Sequence, residues 1–305
     1  MNYPIENNTL SLNLTLVDGD IEVIGEERQD IEVELGDLRK NTADEVFDIS
    51  YEKGELSIIQ KDSKKLLKMF NIKGVDVQIK IPHKIILSGD IKNVSGDISV
   101  SAFAEYSGGI STRNGDVEIN KIPTADLKIN IVNGDLSIKE IDGKLKVNNV
   151  NGDVQLRESN YKSININNVN GDIIVDGDYE LQEDAKIKIV SGDIKLNCKE
   201  YKNDKKIVIS SVTGDNIVSE TFPEGVIIQH GGLKELKNLK FLKDSFQPMI
   251  KQFKEHFKYM PTDKVKEEVN PKKNNEENIQ LILNMLSEGK ITAEDAEKLI
   301  SALKK

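Results

Sequence analysis

Apolar and polar positions alternate through most of this chain, and the pattern predicts short half-buried β-strands almost to residue 230. Within residues 9–82 it is carried by TLSLNLTLV, DIEVIG, DIEVEL, VFDISY, ELSIIQ and GVDVQIKI. Asp18-Gly19 and Lys53-Gly54 fit hairpin turns between these strands, and Pro82 closes the last one because it cannot donate to a central ladder. KDSKKLLKMFNIK (61–73) breaks the alternation and reads as a loop with a short helical turn.

Further on, the alternation acquires a period. NVSGDISV, TRNGDVEI, IVNGDLSI, NVNGDVQL, NVNGDIIV, IVSGDIKL and SVTGDNIV follow one another, with glycines at 96, 115, 134, 152, 171, 192 and 214. The steps are 19, 19, 18, 19, 21 and 22 residues, a spacing that marks a solenoid or stacked array. In one unit, Lys144–Asn148 alternates, Asn149–Asp153 turns and Val154–Leu156 alternates again, with Leu145, Val147, Val150, Val154 and Leu156 as the inward candidates. Gly152 supplies a backbone conformation or a close approach that a Cβ would resist. Asp153 stands where a side-chain bond to nearby backbone fixes a corner. The competing arrangement makes each Asn-Gly a hairpin turn in an antiparallel meander. Val94, Val132, Val150, Val169, Val190 and Val212 keep one register before the turn, and Asn, Ser and Thr share the slot before glycine, as stacked ladders require. Asn114, Asn133, Asn151 and Asn170 then form an amide ladder.

The fold expected is mainly β: a single-stranded, β-helix-like solenoid of about 19-residue G-D repeats with a C-terminal α-helical extension. Residues 1–90 form a non-repeating β region continuous with the solenoid, and 91–230 the seven repeats. Residues 233–260 switch to helical spacing, with Leu239, Leu242, Phe246, Met249, Ile250, Phe253, Phe257 and Met260 in one stripe and a kink at Pro248. A polar linker (261–275) leads to a helical hairpin (276–305), whose Ile279, Ile282, Leu283 and Leu286 face Ala296, Leu299, Ile300 and Leu303. About thirty residues bury too little area to stand alone, so the hairpin is expected to self-associate or dock through Ile279, Ile282, Leu283, Leu286, Leu299 and Ile300.

Charge changes this picture in one place. The net charge is −10, yet residues 233–260 carry seven lysines against Glu235, Asp244 and Glu255, a net of +4 that leaves −14 for the rest. Lys243, Lys251, Lys254 and Lys258 beside Phe246, Met249, Phe253 and Phe257 suit contact with an anionic membrane surface or a partner. The same stripe would also serve to cap the open end of the solenoid. The acidic total argues against nucleic-acid binding. MNYPIENNTLSLNL lacks the basic start and apolar core of a secretion signal, so a cytoplasmic location is expected, peripheral at the inner face of the membrane.

Candidate chemistry is sparse. Asp97, Asp116, Asp135, Asp153, Asp172, Asp193 and Asp215 recur at every turn, and an oxygen-rich column is a Ca²⁺ candidate. The bonds each aspartate makes at its own corner are the stronger reading, and no metal or other cofactor is expected. No nucleophile elbow, phosphate loop or metal-spaced histidine pair is present; His83, His230 and His256 are isolated. Neither a catalytic centre nor a small-molecule substrate is expected.

The serial [NST]-G-D units (95–97 through 213–215), the VDVQIKIP leading into them and the terminal LILNMLSEGKITAEDAEKLISAL resemble a bacterial family of uncharacterised β-strand-repeat proteins. That family is often labelled adhesin-like and described as toast-rack-like, and many relatives carry the short helical hairpin. The resemblance implies a cytoplasmic or membrane-associated role linked to cell-envelope stress, with no known reaction and no established binding residues. Several relatives place the hairpin before the β domain, whereas here it follows. The function expected is a non-enzymatic scaffold whose partner is itself, a membrane or envelope-stress protein, or the membrane surface. Alternatives are a self-assembling cytoskeleton-like β-helix and a glycan- or cation-binding module.

Overall fold

The computed structural model describes residues 1–5, 7–38, 41–61 and 74–231. Most of the 61–73 stretch, the basic stretch 233–260, the linker and the hairpin 276–305 lie outside these residues, and with them all the expected membrane, partner and oligomerisation positions. The described chain is a β-solenoid of about eight turns.

Two parallel ladders form its walls. The first contains, in spatial order, β6 (Glu55–Gln60), β2 (Thr9–Thr15), β8 (Ile86–Ser95) and β10 (Glu105–Asn114). It continues through the second halves of β11 (Val117–Asn133), β12 (Leu136–Asn151) and β13 (Val154–Asn170), then β15 (Ala185–Ser191), β17 (Ile207–Thr213) and β19 (Ile227–Gly231). The second ladder contains β7 (Val77–Pro82), β3 (Ile21–Glu26) and β9 (Ile98–Ser101), the first halves of β11, β12 and β13, then β14 (Ile173–Tyr179), β16 (Ile194–Tyr201) and β18 (Asn216–Val218). Every pairing within these ladders is parallel, which rules out the meander. Each V-x-G-D phrase turns the chain from the first ladder to the second.

The N-terminal stretch, expected to run on into the solenoid, builds rungs of the same two ladders. Asp18-Gly19 is a corner between β2 and β3 with Gly19 at φ +129°, not a hairpin turn. The rungs are also threaded out of order: β2 and β3 lie between β6–β7 and β8–β9. Lys53-Gly54 is the hairpin turn expected, with both residues at positive φ (52° and 77°) joining β5 (Phe47–Glu52) to β6.

Antiparallel strands close this end of the solenoid. β5 lies on β6, β4 (Asp30–Leu35) on β7, and the short β1 (Asn2–Pro4) on β4. Arg28, at the bend between β3 and β4, bonds Asp30 at 2.9 Å and Glu32 at 2.8 Å, and holds the Glu32 carboxyl below its ordinary range. Short, charged, Pro-bearing and antiparallel edges resist further strand addition.

The interior is a column of aliphatic side chains, up to three from each wall in the β11 rung. Leu127, Ile129, Leu136 and Ile138 of one turn stack on Leu145, Val147, Val154 and Leu156 of the next, all at most 2% exposed. One inward assignment is corrected. Asn149 points in, fully buried, while Val150 is half-buried on the outer face. The alternation set by Leu145 and Val147 carries on to Asn149, and its inward amide reaches the corner carbonyls; Ile131 and Ile189 take the same inward position in other rungs.

Candidate functional site

The corners hold every periodic polar residue that the sequence singles out. Each aspartate of the column offers Oδ1 to the backbone N–H of the next rung's aspartate. The acceptor–donor pairs run Asp97 to Asp116, Asp116 to Asp135, Asp135 to Asp153 and Asp153 to Asp172, all at 2.8 Å. Asp172 to Asp193 at 2.9 Å and Asp193 to Asp215 at 2.8 Å complete the seven. Two further members went unnoticed in the sequence: Asp20 accepts from Asp97 at 2.9 Å, and Asp76 from Asp20 at 2.9 Å. Val17-Asp18-Gly19-Asp20 carries the same V-x-G-D phrase as the later repeats, whereas Asp76 follows Val75 and lacks a glycine immediately before it.

Glycine is required by space as well as by dihedral. A Cβ on Gly134 would lie 2.1 Å from the Gly115 carbonyl oxygen, and one on Gly171 would lie 2.2 Å from that of Gly152. Real Cβ atoms do not approach backbone so closely, so the corners stack backbone on backbone.

Three amide columns accompany the aspartates. On the exposed edge, Asn133 donates to Asn114, Asn151 to Asn133 and Asn170 to Asn151, each at 2.8 Å, as the sequence predicts. Inside the corner, Asn149 donates to the Gly134 and Gly152 carbonyls at 3.3 and 2.9 Å, and Asn168 to those of Gly152 and Gly171 at 3.1 and 3.0 Å. On the outer face of the first ladder, Asn130 donates to Ser111, Asn148 to Asn130 and Asn167 to Asn148 at 3.3, 2.9 and 3.0 Å. The four-residue spacing of Ser111, Asn130, Asn148 and Asn167 from the corner glycines was the available signal for this last column.

Beside the aspartates on the second ladder run two shallow depressions of about 290 and 320 Å³. They share Asp97 and Ser99 and are lined by carboxylates (Asp76, Glu22, Asp20, Asp116, Glu118 and Asp135) with no basic residue. Among the described residues no group of three His, Cys, Asp or Glu side chains is placed to hold a metal ion, because the column spreads its carboxylates one per rung.

The other end of the second-ladder strand turns without glycine in the rungs of β9, β11, β12 and β13. Ala102, Lys121, Glu140 and Glu158 adopt φ of 67°, 57°, 55° and 50° at the same 19, 19 and 18-residue steps as the glycines. Nothing in the residue types marks them. Aromatic rings fill the later rungs beyond this corner. Tyr161 stacks on Tyr179 at 5.3 Å and Tyr179 on Tyr201 at 6.0 Å, with Phe222 against both Tyr179 and Tyr201 at 5.2 and 5.9 Å. Burial pushes Tyr201 up to about 12, Cys198 up to about 11, and Tyr161 and Tyr179 further above the ordinary tyrosine value. These rings recur at 18, 22 and 21 residues, a period the sequence displays.

With the stacked G-D corners in place, the comparisons with known proteins fit the geometry. The family model Toastrack DUF4097 matches residues 7–231, the whole described solenoid. The chain belongs to the Toastrack DUF4097 family. A SHOCT-like domain model matches residues 277–305, where the sequence predicts the helical hairpin. No curated protein matches the chain. Among solved structures, a candidate cell adhesion protein from Clostridium sporogenes ATCC 15579 is similar at 14% identity, covering 72% of this Toastrack chain and 97% of its own, with a TM-score of 0.32. Among the described residues no helix is long and apolar enough to cross a membrane, a statement that leaves strand-built membrane proteins aside.

Proposed function

We propose that this Toastrack protein is a non-enzymatic scaffold. Its solenoid presents flat side walls, and its basic segment 233–260 brings it to an anionic membrane surface in the setting of the cell-envelope stress response. One observation carries the non-catalytic part. Every corner aspartate from Asp97 to Asp193 uses an oxygen, and Asn133 and Asn151 on the exposed edge use both ends, in bonds from rung to rung, so the repeated polar residues serve the fold. A hydrolytic solenoid needs two carboxyl groups converging on one bond, one protonated to act as acid and the other ionised to act as base or nucleophile. The membrane part is supported by the +4 segment in a chain that is otherwise −14, with its phenylalanines at helical spacing.

The closed N-terminal end favours this reading over a cytoskeleton-like polymer. End-to-end stacking of parallel solenoids needs a matching parallel edge at both ends, and β4 and β5 present antiparallel strands at one of them.

Flotation with anionic and neutral liposomes tests the proposal, using the full chain, a chain lacking 276–305 and a chain ending at Gly232. Salt-sensitive flotation of the first two on anionic vesicles alone is the expected result. Flotation of the shortest chain, or of none, overturns the membrane assignment.

A further inference from the structure

The outer face of the first ladder carries an apolar stripe. Val132, Val150, Val169, Val190 and Val212 occupy the same outward position on consecutive rungs, all half-buried. Beside them Asn130, Asn148 and Asn167 also face outward, yet they are only 4%, 1% and 6% exposed. On the next outward position Lys128, Lys146 and Lys186 are exposed. On the other side of the valines, around the corner, stands the exposed aspartate column. The face is thus an apolar strip with an acidic margin and a basic margin.

We propose that this strip is the seat of residues 239–250 of the same chain. Chain exit supports this occupant: β19 is the last strand of the same ladder, so the chain leaves the described residues at one end of the stripe. Length agrees. Five valines at the usual strand spacing span about 19 Å, and the twelve residues from Leu239 to Ile250 span about 17 Å as a helix. The seven residues 232–238 are ample to bring that segment alongside.

Charge selects the orientation. Helical spacing places Leu239, Leu242, Phe246, Met249 and Ile250 on one stripe and Lys240, Lys243 and Lys251 with Asp244 on one flank, a net of +2, while Ser245 and Gln252 occupy the opposite flank without charge. Seated on the valines with its lysine flank over the corner, the segment meets the Asp153–Asp172–Asp193 carboxylates. Its uncharged flank then meets the wall lysines. The reverse orientation sets lysine against lysine. Pro248 falls on the side away from the stripe, where its missing N–H faces solvent. This inference concerns the free protein and stands whether or not the segment also binds membranes.

The chain contains no tryptophan, so Phe246→Trp in the full-length protein gives a single reporter. The expected result is blue-shifted emission shielded from acrylamide and unchanged on dilution. Val150→Asp with Val169→Asp should abolish the shielding, while Ser137→Asp on the second ladder should leave it intact. Lys240→Glu, Lys243→Glu and Lys251→Glu together leave the solenoid untouched and should weaken the shielding, which keeps the test decisive if the valine variants fail to fold. Solvent-like emission in the parent overturns the proposal. So does shielding that survives the valine or the lysine changes. Shielding lost on dilution assigns the strip to a second copy and overturns this occupant.

Discussion

Replacing Gly171 with alanine isolates the contact on which the corner depends. Gly171 sits at φ +114°, and its new Cβ would lie 2.2 Å from the Gly152 oxygen, 2.6 Å from its carbon and 2.9 Å from Asp153 Oδ1. Left-handed backbone alone costs an alanine about 1–2 kcal/mol. Relieving the clash moves the corner away from its neighbour and disturbs three bonds: Gly171 N–H to Ser191 O at 3.1 Å, Asn168 Nδ2 to Gly171 O at 3.0 Å, and Asp172 N–H to Asp153 Oδ1 at 2.8 Å. At about 1 kcal/mol each, these bring the total to roughly 4–5 kcal/mol, a large part of the stability of an ordinary domain.

Gly225 provides the control. It also has positive φ, +77°, but a Cβ there meets nothing within 4 Å, so Gly225→Ala should cost only the dihedral term of about 1–2 kcal/mol. Urea denaturation followed by circular dichroism measures both variants, and hydrogen exchange locates the damage. Because each rung contacts only its neighbours, lost protection should concentrate in β13, β14, β15 and β16. Equal losses in the two variants would refute backbone stacking as the reason for glycine at the corner.

Other outcomes follow from the same geometry. Asn148→Ala removes bonds of 2.9 and 3.0 Å from a buried column and should cost about 1–3 kcal/mol in urea denaturation, whereas Asn151→Ala, with two 2.8 Å bonds on the exposed edge, should cost less than about 1 kcal/mol. Tyr179 buries a hydroxyl with no hydrogen-bond partner, so Tyr179→Phe should raise stability by about 1 kcal/mol; a loss on denaturation would show that the hydroxyl is satisfied. Stability should be flat through neutral pH and fall above about pH 10, where tyrosines ionise in the unfolded chain. The folded values of Tyr161, Tyr179 and Tyr201 are raised by burial, so their stabilisation is complete below that pH and lost as pH climbs towards about 12, a decline that thermal melts should record.

The solenoid was legible because its period is written in glycine and aspartate, residues whose backbone roles leave few substitutes. Two features were not legible, for physical reasons. Alternation from Leu145 and Val147 runs on to Asn149, whose inward amide reaches the Gly134 and Gly152 carbonyls, and turns Val150 out; residue type and period disagree at these two positions, and the period prevails. The second corner depends on left-handed residues such as Lys121 and Glu140, a conformation no side chain there announces. The aspartates were found, but their role needed coordinates: only registered stacking shows that each carboxylate reaches the N–H of the next.

The out-of-order threading explains how one sequence both repeats and stops. A regular solenoid offers the same edge at each end and has no internal reason to terminate. Here β2 and β3 are made first but become an inner rung, because β6 and β7 lie outside them and β8 and β9 on the other side. The excursion between β3 and β6 then supplies β4 and β5, which run antiparallel and end both ladders. Local sequence could not reveal this, since β2 pairs with β8 some 77 residues further on, as in Thr9 with Ile86. It also directs attention to the opposite end. There β18 and β19 each have a parallel neighbour on one side only among the described residues, and the chain continues directly from β19 into the basic segment. Closure is therefore built into the N-terminal turns, whereas the last strand of each ladder at the C-terminal end keeps one edge without a strand partner among the described residues.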